Sequence, residues 1–302
     1  MPSARLRLSD RVRRSRLPRP VAAADRLEQA RALDRPAYRI SRRIRRLLPP
    51  GPVKDALHGV FLGHPAHPAL TDVPLGCWIS VALLDMTPNN DRASRLLVAA
   101  GLAGTVPTVL TGWADWASLH RGQQRLGLVH AAAGAGASLL YSASLGARLA
   151  GHRGTGRALG YLGLGVVATG AYLGGHLAFR RAAGANHAES ITHLVPLGWH
   201  DLCTLTDLPD GVAVRRRLGY INVVVLRQST RVYALADSCP HLGGPLHQGR
   251  ISGDDGLPQV TCPWHGSEFR LTDGSVVHGP ATAPAPHFET RMRRGIVQVR
   301  AR

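Results

Sequence analysis

Two short motifs in the last third of the chain place cysteine and histidine close together. Cys239 and His241 stand in CPHLGG. After twenty intervening residues, Cys262 and His265 stand in TCPWHGS. Two thiolates and two imidazoles form a ligand set that suits zinc or iron. The residue types and their spacing therefore predict a metal centre.

The order of the ligands separates these two metals. Zinc-binding fingers usually pair cysteine with cysteine and histidine with histidine, as C-x2–4-C followed by H-x3–5-H. Each motif here mixes one cysteine with one histidine. If each motif supplies one residue to each of two irons, one iron receives both cysteines and the other both histidines. That is the ligation of a Rieske [2Fe–2S] centre, which the mixed order favours over tetrahedral zinc.

From about residue 193 to residue 302 the chain resembles the Rieske domain family, whose motifs are C-x-H with a following glycine and then C-x2-H-G. The resemblance implies one [2Fe–2S] cluster, held by two thiolates and two imidazoles. By position these ligands are Cys239, Cys262, His241 and His265. The resemblance also implies an apolar shield, a hydroxyl donor and a third loop that folds over the cluster. These are Leu242, Ser267, Gly279 and Pro280.

Two departures from the family pattern bear on the reduction potential. Members of the quinol-oxidising respiratory branch carry a disulfide between the two cluster loops, where this chain has Gly244 and Trp264. That branch also aims a serine and a tyrosine hydroxyl at the cluster sulfurs. Ser267 is retained, but the tyrosine position holds Phe269. Since hydrogen bonds to sulfur help to set the potential, we expect a low-to-middle value, close to that of Rieske ferredoxins.

Four apolar segments precede the metal motifs and predict transmembrane helices. They are 68–86, 96–114, 126–147 and 158–179. A helix of about 20 residues spans the roughly 30 Å hydrocarbon core of a bilayer, and these segments are long enough. The last three contain no Asp, Glu, Lys or Arg. The first gives a weaker signal, because Asp72 and Asp85 leave it a short uncharged centre.

The charge distribution indicates a membrane rather than a nucleic acid as the partner. The formal net charge is +18, but the arginines crowd at the N-terminus and beside the apolar segments. No aromatic-interleaved basic patch accompanies them, so we expect contact with an anionic lipid surface and not with nucleic acid. No apolar signal-peptide region follows the N-terminal arginines. With an even number of spans, the arginine bias favours a multi-pass cell-membrane protein whose termini and Rieske domain are cytoplasmic.

The membrane region resembles the small bacterial four-span proteins grouped as DUF2231, a family without an established activity. The resemblance rests on GHPAHP, GWADW, His130 and GGHL. Antiparallel helices would bring six polar residues to the membrane surface from which the Rieske domain emerges. They are His64, His67, Asp115, His120, His130 and His176. Three of them are candidates for a haem b or quinone site, with hydrogen-bonded interfacial histidines as the alternative: His67, His130 and His176.

The predicted fold class is a two-domain membrane protein, α followed by all-β. A four-helix transmembrane bundle precedes a Rieske-type antiparallel β-sandwich with a cluster-binding subdomain. We expect a basic, partly disordered or amphipathic segment at 1–55, four spans within 56–184, a linker at 185–193 and the Rieske domain at 194–302. Strands are expected in VAVRRRLGYINVVVLRQSTRVYALAD and in FETRMRRGIVQVR, with the metal motifs on loops between them.

The predicted function is one-electron transfer between an unidentified redox donor and acceptor, as part of an oxidoreductase system rather than as a stand-alone enzyme. One alternative is a quinol- or haem-linked oxidoreductase that uses the transmembrane histidines, and another is a non-catalytic redox sensor. Self-association through the transmembrane helices is a further expectation. Because only 37 residues stand from Gly266 onward in this sequence, we do not expect the mononuclear-iron domain of a Rieske oxygenase. Without a G-x-G-x-x-G loop after a strand, bound flavin or nicotinamide is not expected.

Overall fold

The computed structural model describes residues 18–253 and 257–301. Their N-terminal part is helical and their C-terminal part is an antiparallel β domain. Within this part of the chain the α-helices are α1 (Arg19–Glu28), α2 (Asp34–Leu47), α3 (Pro52–His58), α4 (Ala66–Leu84), α5 (Asp91–Trp116), α6 (Arg121–Leu149) and α7 (Arg153–Gly175). A π-helical turn, His176–Arg180, continues α7. The predicted basic segment, 1–55, thus contains α1, α2 and the start of α3 among its described residues, while residues 1–17 lie outside the described residues.

Three of these helices are long and apolar enough to cross a membrane. They are Asp91–Trp116, Arg121–Leu149 and Arg153–Arg180. The first predicted span forms the 19-residue helix α4, which contains Pro74 and is not among the three. A fourth span therefore stays a prediction. The observed helices also begin before the apolar segments, because helical hydrogen bonding continues into flanking polar residues that hydropathy excludes.

The chain divides into two compact units. Among the described residues, the first comprises 18–43, 71–106 and 119–183, and the second comprises 44–70, 107–118 and those from 184 onward. In the first unit, glycines on α7 allow α6 and α7 to approach closely. A Cβ atom added at Gly163 would lie only 2.8 Å from the ring of Tyr141. Arg148 on α6 forms a fully buried ion pair with Asp85, whose other donor is the Ser94 hydroxyl.

The β domain of the second unit contains two antiparallel sheets. Its strands are β1 (His200–Thr204), β2 (Ala213–Leu218), β3 (Ile221–Gln228), β4 (Arg231–Ala236), β5 (Arg250–Ser252), β6 (Gln259–Thr261), β7 (Glu268–Arg270), β8 (Val276–His278), β9 (His287–Arg293) and β10 (Ile296–Ala301). The order is β1-β10-β9-β4-β3-β2 in the large sheet and β5-β6-β7-β8 in the small one. The expected strands correspond to β2–β4 and to β9–β10, with turns at Gly219, Ser229 and Arg294. The other five strands were not predicted.

Strand β3 connects the two hydrophobic cores of this domain. Val223 and Val225 pack into the core on one face of the large sheet, and Val224 and Leu226 into the core on the other. All four side chains are fully buried. The second core also contains Cys239 and Cys262, together with residues of the small sheet. Burial on both faces explains why residues 223–226 of β3 form an unbroken apolar run instead of an alternating one.

Candidate metal centre

The two metal motifs form a pair of tight loops. The first loop, 239–244, follows β4, and the second loop, 262–267, joins β6 to β7. The Cys239 N–H donates to the carbonyl of Gly244 at 2.8 Å, and the Cys262 N–H donates to the carbonyl of Ser267 at 2.7 Å. Each loop therefore folds back to present its cysteine and histidine towards the other. The prediction that both motifs lie on loops is confirmed, and the small sheet β5–β8 supports them.

The cysteines lie inside and the histidines lie nearer the surface. The exposed fraction is 1% for Cys239 and 3% for Cys262, whereas both histidines are half-buried. The imidazole rings of His241 and His265 lie edge to face with their centroids 4.9 Å apart. The structure thus brings the four predicted ligands together as a sulfur pair and a nitrogen pair.

The two sulfurs share a hydrogen bond that separates their proton affinities. Hydrogen bonding to Cys262 raises the pKa of the Cys239 thiol, and burial raises it further. The same contact lowers the pKa of Cys262 to about 7, helped by the backbone N–H groups of Trp264 and His265. Near neutral pH the pair therefore approaches one thiol and one thiolate, which is a state prepared for metal binding because metals bind the thiolate form.

Hydrogen-bond donors surround the sulfurs. The His241 backbone N–H and the Ser267 hydroxyl both donate to the Cys239 sulfur. The Ser267 side chain is fully buried, and its Oγ accepts the N–H of Ala281 at 2.9 Å. Paired sulfurs, paired imidazoles and inward N–H groups fit a [2Fe–2S] cluster in which one iron takes both cysteines and the other both histidines.

The two positions that carry a disulfide in the quinol-oxidising respiratory branch hold Gly244 and Trp264 in this chain, and the two residues are in contact. A Cβ atom added at Gly244 would lie 2.8 Å from the Cys262 sulfur and 3.1 Å from the ring of Trp264. The four cysteines are free thiols. Phe269, with an exposed fraction of 0%, packs in the same core as both motif cysteines, and Leu242 is 5% exposed. The brace between the loops is therefore apolar packing against the Trp264 ring.

The three candidate membrane histidines have hydrogen-bond partners within the protein. In the second unit, His67 Nδ1 lies 2.9 Å from the carbonyl oxygen of Thr108. In the first unit, His130 Nδ1 lies 2.8 Å from the carbonyl oxygen of Gly170. His176 Nε2 lies 3.1 Å from a carboxylate oxygen of Glu28. These contacts match the hydrogen-bonded alternative and give haem b no support.

Sequence reasoning missed two carboxylates next to the loops. Asp237 accepts the His247 N–H at 2.7 Å and contacts the His247 ring at 2.7 Å, which anchors the chain on either side of the first loop. Asp55 contacts the third loop, 278–281, although it is more than two hundred residues earlier in the sequence. The Asp237 and His247 pair flanks the first motif, so its spacing offered a local signal. No local pattern distinguishes Asp55.

Comparisons with known proteins agree with this geometry. Residues 198–289 match the family model of the Rieske [2Fe-2S] domain, and residues 63–187 match that of the family described as "Predicted membrane protein (DUF2231)". Ferredoxin CarAc from Metapseudomonas resinovorans is 31% identical over 102 residues, which are 33% of this chain and 92% of the ferredoxin. Human apoptosis-inducing factor 3 (Homo sapiens) is 31% identical over 100 residues, which are 33% of this chain but only 16% of that protein.

Solved structures match the same region. The complex of reduced oxygenase and oxidized ferredoxin in carbazole 1,9a-dioxygenase contains a chain with 31% sequence identity and a TM-score of 0.30, covering 34% of this chain and 92% of that chain. The NMR structure of the E. coli protein NirD has 29% identity and a TM-score of 0.32, covering 34% of this chain and 96% of that chain.

Proposed function

Because this chain belongs to the Rieske [2Fe-2S] domain family, we propose that it is a membrane-anchored one-electron carrier. The observation that carries the proposal is the pairing of two buried sulfurs with two adjacent imidazole rings on facing loops. Its relative CarAc is a ferredoxin that is matched over 92% of its length, so the C-terminal domain corresponds to a complete electron carrier.

We assign the ligands by the geometry of the two loops. Cys239 and Cys262 would hold one iron, and His241 and His265 would hold the other. A bound [2Fe–2S] cluster gains and loses a single electron at one of its irons. The protein's own groups set the conditions: Leu242 and the inner core exclude water from the sulfurs, and the N–H and hydroxyl donors stabilise negative charge on them.

The surface position of the imidazoles supports exchange of electrons with other proteins. His241 and His265 are half-buried, and the neighbouring Trp264 has an exposed fraction of 49%. A protein partner that docks on this face would approach the histidine-bound iron without passing through the core. We propose a redox protein as donor and another as acceptor. No groove for an organic substrate is needed for this activity.

The helical half would anchor the carrier in the cell membrane. Three helices are apolar enough to cross a bilayer, and their region matches a family of predicted membrane proteins. We propose a multi-pass arrangement in which α4 is the fourth span and the transmembrane helices provide the surface for self-association. The boundaries 56–184 for the membrane part and 194–302 for the carrier, joined by 185–193, belong to this proposal, as does a cytoplasmic position of the carrier.

The experiment is a redox titration of washed membranes that contain the full-length protein, followed by low-temperature EPR. The expected result is a reversible one-electron [2Fe–2S] signal that remains with carbonate-washed membranes. It should disappear in Cys239→Ser and His265→Ala and persist in the control variant Cys203→Ser, whose thiol lies outside the two loops. A signal-free protein that binds zinc would overturn the carrier, and release of the signal into the wash would overturn the anchor.

A further inference from the structure

The third loop is held by a carboxylate from outside the Rieske domain. Asp55 Oδ1 accepts the Gly279 N–H at 2.8 Å, and Asp55 Oδ2 lies 2.7 Å from His278 Nδ1. The Asp55 side chain is 16% exposed and the His278 side chain 34% exposed. Both oxygens of one carboxylate are therefore committed to consecutive residues at the end of β8. All three residues belong to the second compact unit.

Helix α3 presents Asp55 in a fixed position. His58, one turn further on, has an exposed fraction of 1% and its Nδ1 lies 2.7 Å from Asp115 Oδ1. The helix ends at Gly59, whose φ is +80°, and a Cβ atom there would lie 2.4 Å from the His64 carbonyl oxygen. Only glycine fits such a backbone conformation and such a close approach. The side chain of Asp55 is thus carried by a short, partly exposed helix whose C-terminal end is buried and fixed at His58.

The third loop packs directly against this segment. A Cβ atom added at Gly279 would lie 3.0 Å from Val60 Cγ2 and 3.6 Å from the Cβ atom of His58. Two residues beyond Gly279, the Ala281 N–H donates to the Ser267 hydroxyl oxygen at 2.9 Å. The Ser267 hydroxyl is in turn hydrogen-bonded to the Cys239 sulfur. A short series of contacts therefore leads from Asp55 through the third loop to a proposed cluster ligand.

We propose that Asp55 is a positioning residue for the cluster, an inference that rests on the proposed function. Its carboxylate holds the third loop so that the Ala281 N–H occupies the acceptor side of Ser267. The hydroxyl then has one favourable orientation, with its proton towards the Cys239 sulfur, because a hydroxyl that accepts from one group directs its donor elsewhere. The helical N-terminal region in this way helps to set the reduction potential of the C-terminal domain.

A double-mutant cycle separates this effect from the charge of Asp55. Asp55→Ala removes a negative charge, which by itself raises the reduction potential equally whether or not Ser267 is present. Loss of positioning lowers the potential only where the Ser267 hydroxyl can be misplaced. The measured quantity is the factor by which Asp55→Ala multiplies the equilibrium constant for reduction. We expect this factor to be lower by about twofold or more in the wild-type background than in the Ser267→Ala background. Equal shifts in the two backgrounds would overturn the inference.

Two variants control for charge and for generic damage. Asp55→Asn keeps an oxygen for the Gly279 N–H and an amide group facing the ring of His278. The change it makes in the reduction potential should therefore be nearly the same with and without the Ser267 hydroxyl. Asp210→Ala removes another carboxylate that accepts a backbone N–H, that of Ser229 at 2.7 Å, and should show no coupling to Ser267. Coupling of the same size for Asp210→Ala would contradict a specific role of Asp55.

Hydrogen exchange supplies a readout that needs no cluster. In the full-length protein freed of iron, Asp55→Ala should speed exchange of the third-loop amides by about tenfold or more, since losing hydrogen bonds to a charged group makes local opening of the loop easier. Unchanged exchange would show that Asp55 does not hold the third loop, and would overturn the inference even if the chain carries a cluster. Faster exchange in a chain that never binds a cluster would refute the proposed function but would leave the contact of Asp55 with the third loop established.

Discussion

Replacing Ser267 by alanine removes one hydroxyl group at the most informative point of the site. The side chain is fully buried, donates to the Cys239 sulfur and accepts the Ala281 N–H at 2.9 Å. Alanine leaves every other atom in place and introduces no clash. The substitution therefore tests whether a single hydrogen bond to sulfur contributes to the reduction potential.

The expected size follows from the energy of hydrogen bonds to charged groups, about 1.5–3 kcal/mol each. Reduction adds negative charge to the cluster, so the bond to sulfur is stronger in the reduced form and part of this energy appears in the potential. If the difference is about 1.4 kcal/mol, the equilibrium constant for reduction falls tenfold, or about 59 mV for one electron. The variant also leaves the Ala281 N–H buried without its acceptor, which should destabilise the domain by about 1–3 kcal/mol.

The assay is an EPR-monitored redox titration of the purified full-length protein, with signal intensity as the measure of cluster content. Ser252→Ala is the matched control, because its hydroxyl donates to Glu268 at 3.1 Å and not to a sulfur. Its potential should equal that of the wild type. An unchanged or higher potential in Ser267→Ala, at full signal intensity, would refute the argument that this hydroxyl stabilises the reduced state.

Three further substitutions or treatments have defined outcomes. Gly244→Ala places a Cβ atom 2.8 Å from the Cys262 sulfur and should lower the cluster content severalfold. Gly134→Ala is the control, because the space around Gly134 is open, and it should leave the cluster content unchanged. Equal cluster content in the two variants would contradict the close approach of the two loops. In iron-free protein, the rate of labelling of Cys262 by a small thiol reagent should be half-maximal at about pH 7, because its pKa is lowered to that value. Cys203, whose pKa is raised by burial, should react only at higher pH. Parallel pH profiles of the two cysteines would refute the hydrogen bond between the Cys239 and Cys262 sulfurs. Asp85→Ala leaves the buried Arg148 without a counter-charge and should destabilise the helical unit by about 3–5 kcal/mol, which would lower its melting temperature in detergent. An unchanged melting temperature would argue against the buried ion pair.

The site was largely predictable because its signals are local. A cysteine and a histidine within four residues can be presented by one short loop, and glycines such as Gly243 and Gly266, with φ of +75° and +76°, mark the tight turns that follow. The longer strands also carry local signals, since the apolar run of β3 and the turn at Ser229 are visible in the sequence. The assignment of each ligand to a particular iron stays a prediction.

Other features depended on contacts that no local pattern records. The strands β5–β8 have three residues each, too few for an alternating pattern to show. Asp55 gains its role only when α3 packs against the third loop, and its neighbours in the sequence suggest an exposed basic segment. The membrane histidines are a different case. Their positions suggested cofactor binding, which stays without support, while their contacts with backbone carbonyls and with Glu28 match the hydrogen-bonded alternative.

The central claim is that two sulfurs bind one iron and two ring nitrogens bind its neighbour. Pulsed EPR of the reduced full-length protein with ¹⁵N-labelled histidine tests it most directly. We expect strong couplings from a pair of histidine nitrogens, with His241→Ala or His265→Ala losing the native signal. A cluster spectrum without histidine coupling, or a colourless protein with one zinc per chain, would contradict the account.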